Sequence, residues 1–203
     1  TGLGKTAEAI TAVRRLDCKA ILVVCPAMVR ANWKREFDQW WPGHPEVGIV
    51  FAGVDRKDLS KAKLEAIQEA VLAPIQVWSY TMLSRITKAS WWDVIIFDEI
   101  HMIQHPTSTF YKAARELVVT SPWAAVFGLT ATLMPTEPCD AWAPLDVLCP
   151  GRFGRGGRNY CFKFNQRYTN AVSNGYGWTY GGAAADTIDE LRYRIASLSS
   201  RVE

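Results

Sequence analysis

The sequence lacks the features that place a protein in a membrane or outside the cell. No apolar run approaches the roughly 20 residues that cross a bilayer, and no charged and apolar leader opens the chain. The five cysteines are scattered and never spaced Cys-x-x-Cys, so neither a disulfide framework nor a zinc site is indicated. We therefore expect a soluble, intracellular protein with no membrane partner, cytoplasmic if its source is prokaryotic or viral and nuclear if it is eukaryotic.

Acidic residues are missing from residues 147–185, although the chain as a whole is nearly neutral. The net charge is +3, and this stretch alone holds five cations, Arg152, Arg155, Arg158, Lys163 and Arg167. The other 18 basic residues face 20 acidic ones, which leaves −2 for the remainder. Aromatic residues interleave with the cations, a composition that suits phosphate contacts and base stacking. A small aromatic core with solvated cations around it is the equally open alternative.

The 203 residues, of which 49% are hydrophobic, suffice for one large domain with its own core. Short β-branched runs alternate with segments of helix-forming composition, which predicts an α/β fold with a parallel sheet flanked by helices. The predicted strands are residues 20–25, 47–52, 75–79, 94–98 and 124–128, and the predicted helices are residues 5–16, 28–41, 60–72 and 108–120. After residue 128 a helix around 137–148 and another from about 186 predict a helical, aromatic-rich appendage.

The first six residues read as the second half of a phosphate-binding loop. Gly2, Leu3 and Gly4 would bring backbone N–H groups to phosphate oxygens, Lys5 would reach the β- and γ-phosphates, and Thr6 would ligate Mg²⁺. The helix that follows would direct its positive N-terminus at the same anion. A Gly-Leu-Gly turn followed by a chance Lys-Thr pair is the structural alternative.

A second site is predicted at residues 98–101, Asp-Glu-Ile-His, which follow an apolar strand. Carboxylates at the C-terminal end of a parallel strand lie where open α/β sheets bind ligands. In a nucleotide hydrolase Asp98 would hold Mg²⁺ and Glu99 would orient and deprotonate the attacking water. An ordinary acidic turn is the alternative, and the nearby phosphate loop weakens it.

The third signal is Leu-Thr-Ala-Thr at residues 129–132, which leaves the last predicted strand. Thr130 follows Asp98 by 32 residues, about the length of one strand-helix-strand unit. The hydroxyls of Thr130 and Thr132 would therefore lie beside the carboxylates and could sense the γ-phosphate. Threonine is also a routine turn residue, which leaves a purely structural role open.

These three motifs, in this order and spacing, resemble motifs I, II and III of a superfamily 2 helicase, with a DEAH-like box as motif II. More narrowly, the chain resembles the first RecA-like lobe of a Snf2-type ATPase. Val-Cys-Pro at 24–26 and Asn-Trp-Lys-Arg-Glu at 32–36 look like motif Ia and its helix, and Val-Trp-Ser-Tyr at 77–80 looks like motif Ib. The tail, with Tyr-Gly-Trp-Thr-Tyr-Gly-Gly at 176–182, is similar to the annealing-helicase branch.

The resemblance implies ATP hydrolysis coupled to translocation along double-stranded DNA. It assigns ATP binding to Gly2, Leu3, Gly4, Lys5 and Thr6, Mg²⁺ to Thr6 and Asp98, and catalysis to Lys5, Asp98 and Glu99. It assigns coupling to His101, Thr130 and Thr132, and the DNA backbone track to Pro26, Ala27, Ser79 and Tyr80, with Arg152, Arg155 and Arg158 as further DNA contacts. Leu133 and Thr136 stand where the family usually has Pro and Asn, which puts the efficiency of coupling in doubt.

The same resemblance divides the chain into an ATP-binding lobe at residues 1–135, truncated at the phosphate loop, and a C-terminal extension at residues 136–203. It also implies a second RecA-like lobe that this chain does not contain and that would supply an arginine finger, worth about 10³ to 10⁵ in rate. We therefore expect the chain alone to hydrolyse ATP poorly. A nucleotide- or partner-binding module without turnover, and a superfamily 2 enzyme acting on RNA or restriction substrates, are the alternatives.

Overall fold

The computed structural model describes residues 4–50, 61–85, 91–134, 136–154 and 158–198. Five strands form one parallel sheet in the order β2-β3-β1-β4-β5. They are β1 (Ile21–Cys25), β2 (Val47–Ile49), β3 (Ile75–Ser79), β4 (Val94–Asp98) and β5 (Ala125–Leu129). The predicted parallel sheet is confirmed, with shifts of one residue at β1 and β5. Residues 51 and 52, which the prediction added to β2, lie outside the described residues.

The described residues form seven α-helices, of which the second, third and fourth connect strands of the parallel sheet, as predicted. They are α1 (Lys5–Arg15), α2 (Arg30–Trp40), α3 (Lys61–Leu72), α4 (Thr109–Thr120), α5 (Trp142–Leu148), α6 (Arg158–Tyr168) and α7 (Ile188–Ala196). Short 3₁₀ helices at Ala27–Val29, Tyr80–Arg85, Ile100–Ile103 and Pro138–Ala141 follow strands or precede α5. None of the helices in the described part of the chain is long and apolar enough to cross a membrane.

The core lies between the sheet and the helices that cover it. Every residue of β1 and β3 is buried, because a parallel strand with helices on both faces exposes neither face to water. Helix α1 contributes Ala9, Ile10 and Val13, and α2 contributes Trp33 and Phe37. Spacings of three and four residues, from Ile10 and Ala9 to Val13 and from Trp33 to Phe37, put each set on one helix face, which explains why these helices pack on the sheet.

The described residues form two compact units. The sheet unit comprises the described residues up to Glu99 together with Glu116–Leu129, and it holds the whole parallel sheet. The appendage unit comprises Ile100–Arg115 and the described chain from Thr130 onward. The domain boundary predicted between residues 135 and 136 stays a prediction.

The appendage unit is less purely helical than the sequence indicated. Strands β6 (Thr169–Ser173) and β7 (Trp178–Ala183) form an antiparallel hairpin that the prediction missed. The turn is closed by Asn174, whose side-chain oxygen accepts hydrogen bonds from the backbone N–H groups of Tyr176 (3.1 Å) and Gly177 (2.8 Å). The unit has an aromatic core of its own, since Trp142, Phe164 and Tyr168 are buried.

Candidate nucleotide-binding site

The N-terminus of α1 is shaped by Gly4, the residue before the helix. Its φ is 72°, in the left-handed region that is strained for residues with a Cβ atom. The Gly4 carbonyl accepts a hydrogen bond of 2.9 Å from the Glu8 N–H, which begins the helical ladder. The first N–H groups of α1 have no partner within the helix, so this end favours an anion. Gly2 and Leu3, predicted to belong to the same loop, lie outside the described residues.

Lys5 is the first residue of α1, and its ammonium nitrogen is buried. Among the described residues Lys5 Nζ has no hydrogen-bond acceptor, and the Glu99 carboxylate oxygen Oε1 lies 3.8 Å away. A buried ammonium without hydrogen bonds is costly, and a phosphate oxygen would satisfy it. Thr6 follows on the helix and is half-buried. The structure therefore places the charged groups of Lys5 and Glu99 next to each other, although their motifs lie far apart in the sequence.

Asp98 ends β4 and is held by two side chains from other elements. The indole nitrogen of Trp33 donates a hydrogen bond of 2.9 Å to Asp98 Oδ2, and the Tyr80 hydroxyl donates one of 2.9 Å to the Asp98 backbone carbonyl. Burial raises the pKa of the Asp98 carboxyl above its usual range. The Trp33 hydrogen bond opposes this rise and the negative charge of Glu99 adds to it. A bound cation would favour the ionised form of this carboxylate.

Glu99 turns the chain out of the sheet. Its φ is 50°, a conformation that costs a residue with a side chain roughly 1–2 kcal/mol. The turn leads into the 3₁₀ helix Ile100–Ile103 and leaves the Glu99 side chain half-exposed next to Lys5. Strained backbone of this kind clusters at functional sites, where the surrounding structure holds it in place.

The three residues predicted to couple hydrolysis to movement are joined by hydrogen bonds in the appendage unit. His101 Nδ1 and Thr130 Oγ1 lie 3.2 Å apart, within hydrogen-bond distance. The Thr130 hydroxyl donates to the Thr132 carbonyl at 3.0 Å, and the Thr132 N–H donates back to that hydroxyl at 3.2 Å. The predicted motif III thus has a defined geometry around one threonine hydroxyl.

The residues predicted to follow the DNA backbone differ in exposure. Pro26 and Ala27 follow β1, and Ala27 is exposed. Ser79 and Tyr80 are buried, each with 2% of its surface exposed. The Ser79 hydroxyl pairs with that of Thr81 at 2.8 Å. A role for these residues at DNA stays a prediction. The hydrogen bonds from Ser79 to Thr81 and from Tyr80 to Asp98 lie within the sheet unit.

The basic stretch is partly neutralised by α7. Arg167 forms an ion pair with Glu190, with a hydrogen bond of 3.2 Å from its Nε. The Arg194 guanidinium lies 3.6 Å from the same carboxylate and 4.5 Å from the centre of the Phe153 ring. Arg152 is exposed. Arg155 and the side chain of Arg158 lie outside the described residues, so their predicted DNA contacts stay predictions.

Trp33 is the site residue that the sequence did not identify. Trp33 lies inside the predicted helix 28–41, where a tryptophan favours a packing role, and it is indeed 1% exposed. Its hydrogen bond to Asp98 spans 65 positions of the chain, and no local pattern specifies such a partner. The sequence signal here was the Asn-Trp pair after the motif Ia-like segment. It indicated the helix but not the hydrogen bond to Asp98.

Known proteins resemble this chain over most of its length. Helicase SWR1 of Gibberella zeae is 26% identical over 172 residues, 77% of this chain and 9% of that protein. DNA repair and recombination protein RAD54B of Homo sapiens is 27% identical over 166 residues, 75% of this chain and 17% of that protein. Uncharacterized ATP-dependent helicase MG018 of Mycoplasma genitalium is 30% identical over 165 residues, 75% of this chain and 14% of that protein. The chain spans less than a fifth of the length of each of these three relatives.

The fold is similar to that of the Sulfolobus solfataricus SWI2/SNF2 ATPase core in complex with dsDNA. The TM-score is 0.68 at 23% identity, over 97% of this chain and 37% of that chain. At this level of identity the similarity concerns the fold, and the predicted RecA-like architecture is confirmed.

A family model described as the SNF2-related domain matches residues 1–198. The match includes all three motifs and both units. It confirms the resemblance that the motifs predicted at the level of the family, while the narrower similarity to the annealing-helicase branch stays a prediction. The chain belongs to the SNF2-related domain family.

Proposed function

We propose that this chain is the ATP-binding lobe of an intracellular DNA-dependent ATPase that couples hydrolysis to translocation along double-stranded DNA. The observation that carries the proposal is the buried Lys5 ammonium at the start of α1. It has no hydrogen-bond acceptor among the described residues and lies 3.8 Å from Glu99. A phosphate chain at this helix end would supply the missing acceptor, and the helix dipole would favour its charge.

The residues present also fit a magnesium ion, which would neutralise phosphate charge when bound with the nucleotide. Mg²⁺ prefers oxygen ligands and is usually held by one or two carboxylates together with phosphates and water. Asp98 would supply the carboxylate and Thr6 the hydroxyl. No cluster of three or more His, Cys, Asp or Glu residues that could hold a metal occurs in the described ranges, so the nucleotide would complete the ligand set.

Each remaining residue of the site has a defined task in this proposal. Lys5 binds the terminal phosphates, and Glu99 orients a water molecule and accepts its proton. His101, Thr130 and Thr132 would pass the state of the γ-phosphate to the rest of the lobe. DNA as partner is supported by the relatives, which include DNA repair and recombination protein RAD54B, and by the dsDNA in the Sulfolobus structure. A second RecA-like lobe would complete the catalytic site.

Nucleotide binding is the first test, and it uses the chain as it stands. Lys5→Ala should lower the affinity for a fluorescent ATP analogue about 10- to 100-fold, since a hydrogen bond to a charged group contributes roughly 1.5–3 kcal/mol. Lys112→Ala removes an exposed lysine on α4 and should bind like the parent chain. Equal affinities for all three proteins would contradict the proposed phosphate site.

Hydrolysis is the second test, on this chain and on a version extended at both ends. We expect duplex DNA to stimulate ATP turnover. We also expect Glu99→Gln to abolish turnover without weakening ATP binding. Binding without turnover in both versions would favour the nucleotide- or partner-binding module instead. Stimulation by RNA alone would favour an RNA-directed superfamily 2 enzyme.

A further inference from the structure

Asp98 is held by hydrogen bonds from two buried side chains of the sheet unit. The Trp33 indole N–H reaches its carboxylate oxygen Oδ2 at 2.9 Å, and the Tyr80 hydroxyl reaches its backbone carbonyl at 2.9 Å. One bond fixes the side chain and the other fixes the backbone from which it projects. A carboxylate secured at both levels has little freedom to rotate.

The donor in the first bond is itself immobile. Trp33 is 1% exposed, and its ring packs against that of Phe37 with 6.0 Å between the ring centres. The start of α2 is tied to the 3₁₀ helix before it and to the residue after β2, because the Arg30 guanidinium donates to the Ala27 carbonyl at 3.0 Å and to the Val50 carbonyl at 2.7 Å. The indole N–H therefore points at Asp98 from a rigid position.

We propose that Trp33 is a positioning residue that orients the Asp98 carboxylate to receive Mg²⁺ or one of its water ligands. The inference rests on the proposed function, because the orientation matters only when a magnesium nucleotide binds. Hydrogen-bond partners of metal-binding carboxylates orient them in this way, and their loss typically weakens metal binding or activity 10- to 100-fold. Trp33 neither touches the nucleotide in this scheme nor takes part in proton transfer.

A packing role and a positioning role predict different results. Loss of packing alone would lower stability and weaken nucleotide binding equally with and without Mg²⁺. Loss of positioning would spare binding in EDTA and reduce only the gain in affinity that Mg²⁺ brings. The Mg²⁺-dependent gain is thus the quantity to measure.

Trp40 provides a matched control on the same helix. Its indole nitrogen also donates to a carboxylate, Glu36 Oε2, at 2.8 Å, but on the solvent side, where Trp40 is 42% exposed. Trp33→Phe and Trp40→Phe remove the same N–H group. Trp33→Phe breaks the hydrogen bond to Asp98, the candidate metal-binding carboxylate. Trp40→Phe breaks the hydrogen bond to Glu36, which has no proposed role in metal binding.

The experiment titrates a fluorescent ATP analogue in EDTA and in excess Mg²⁺ for the parent chain and both variants. For Trp33→Phe we expect the Mg²⁺-dependent gain to fall about 10- to 100-fold while the affinity in EDTA is retained. Trp40→Phe should keep the full gain. A Trp33→Phe variant that keeps the full gain would overturn the inference and leave the proposed nucleotide site intact. A parent chain that fails to bind nucleotide would instead overturn the proposed function and this inference together.

A measurement on the parent chain covers the case in which Trp33→Phe does not fold. In ¹⁵N-labelled protein with nucleotide bound, the assigned indole N–H resonance of Trp33 should shift when Mg²⁺ is added, because its acceptor Asp98 takes up the ion. The Trp40 resonance should stay in place. A Trp33 resonance that does not respond to Mg²⁺ would overturn the inference.

Discussion

At the scale of single residues, Glu99 combines its proposed catalytic role with an unfavourable conformation. Its φ of 50° is shared among the described non-glycine residues only by Asp17, at 49°. Asp17 is exposed just after α1, whereas Glu99 lies beside Lys5 at the end of β4. Short polar residues such as Asp tolerate this region better than Glu, because their side chains bond locally to the backbone. A glutamate in this conformation is expected where function outweighs local stability, in agreement with the proposed catalytic role of Glu99.

Replacement of Glu99 by glycine should therefore stabilise the chain and inactivate it. Glycine removes the cost of the left-handed conformation, about 1–2 kcal/mol. It also raises the conformational entropy of the unfolded chain, which offsets part of this gain in stability. We expect Glu99→Gly to raise the free energy of unfolding by about 0.5–1 kcal/mol and to abolish ATP turnover. Urea denaturation and an ATPase assay on the extended version measure the two effects.

Asp17→Gly is the matched control for this prediction. It should raise stability by less, because aspartate already tolerates the conformation, and it should leave turnover unchanged. A Glu99→Gly variant that is less stable than the parent, or that still hydrolyses ATP, would contradict the interpretation of Glu99 as a strained catalytic residue.

The same scale shows which part of the site a sequence can predict. Gly4, Lys5, Asp98 and Glu99 were predictable because their chemistry requires those residue types at fixed local spacings. The structure places Lys5 and Glu99 3.8 Å apart, and two motifs that belong to one proposed phosphate site are expected to lie this close together. The Trp33–Asp98 bond was not predictable, because an indole on a buried helix face reads as packing until its distant acceptor is located.

At the scale of secondary-structure elements, the contact between β2 and α3 depends on one glycine. A Cβ atom on Gly48 would lie 2.2 Å from the backbone oxygen of Ala70 and 2.7 Å from its Cα. Backbone atoms cannot rotate away as a flexible side chain can. The strand and the helix therefore approach each other as closely as they do only because position 48 has no side chain.

Gly48→Ala should separate these two elements and destabilise the sheet unit by roughly 1–3 kcal/mol, the range found when a packed interior is overfilled. The change in the urea midpoint at constant slope is the measurement. Gly177→Ala is the control, since a Cβ atom there would meet nothing within 4 Å. Equal midpoints for the two variants would mean that β2 and α3 adjust to the added methyl group at no cost.

Elements also differ in how well the sequence predicted them. Strands β1 and β4 were recognisable because burial on both faces makes each a nearly continuous apolar run, such as Ile-Leu-Val-Val-Cys in β1. The hairpin of β6 and β7 was missed because β7 contains Gly181 and Gly182, and glycine ordinarily marks loops. Its pairing depends on the Asn174 turn and on the contact of Trp178 with Phe162, whose ring centres are 5.4 Å apart.

At the scale of the whole molecule, the remaining question is which charges contact nucleic acid. The net charge of +3 is too small to attract DNA by itself, so the arrangement of cations decides. Arg167 and Arg194 share the carboxylate of Glu190 and are partly neutralised. We therefore expect Arg152, Arg155 and Arg158, which lie close together in the sequence, to be the tail cations that contact phosphates.

If this set contacts duplex DNA, its removal should change the salt dependence of binding. Each phosphate contact adds roughly 0.9 to the slope of log affinity against log salt concentration, so the triple alanine variant of Arg152, Arg155 and Arg158 should flatten the slope by up to about 2.7. A triple alanine variant of Arg14, Arg15 and Lys19, exposed cations of the sheet unit, is the control, and both variants bring the net charge from +3 to zero. Fluorescence anisotropy with a labelled duplex at several salt concentrations gives the slopes. Equal flattening in both variants would assign the effect to net charge, and an unchanged slope in the tail variant would remove the tail from the DNA-binding surface.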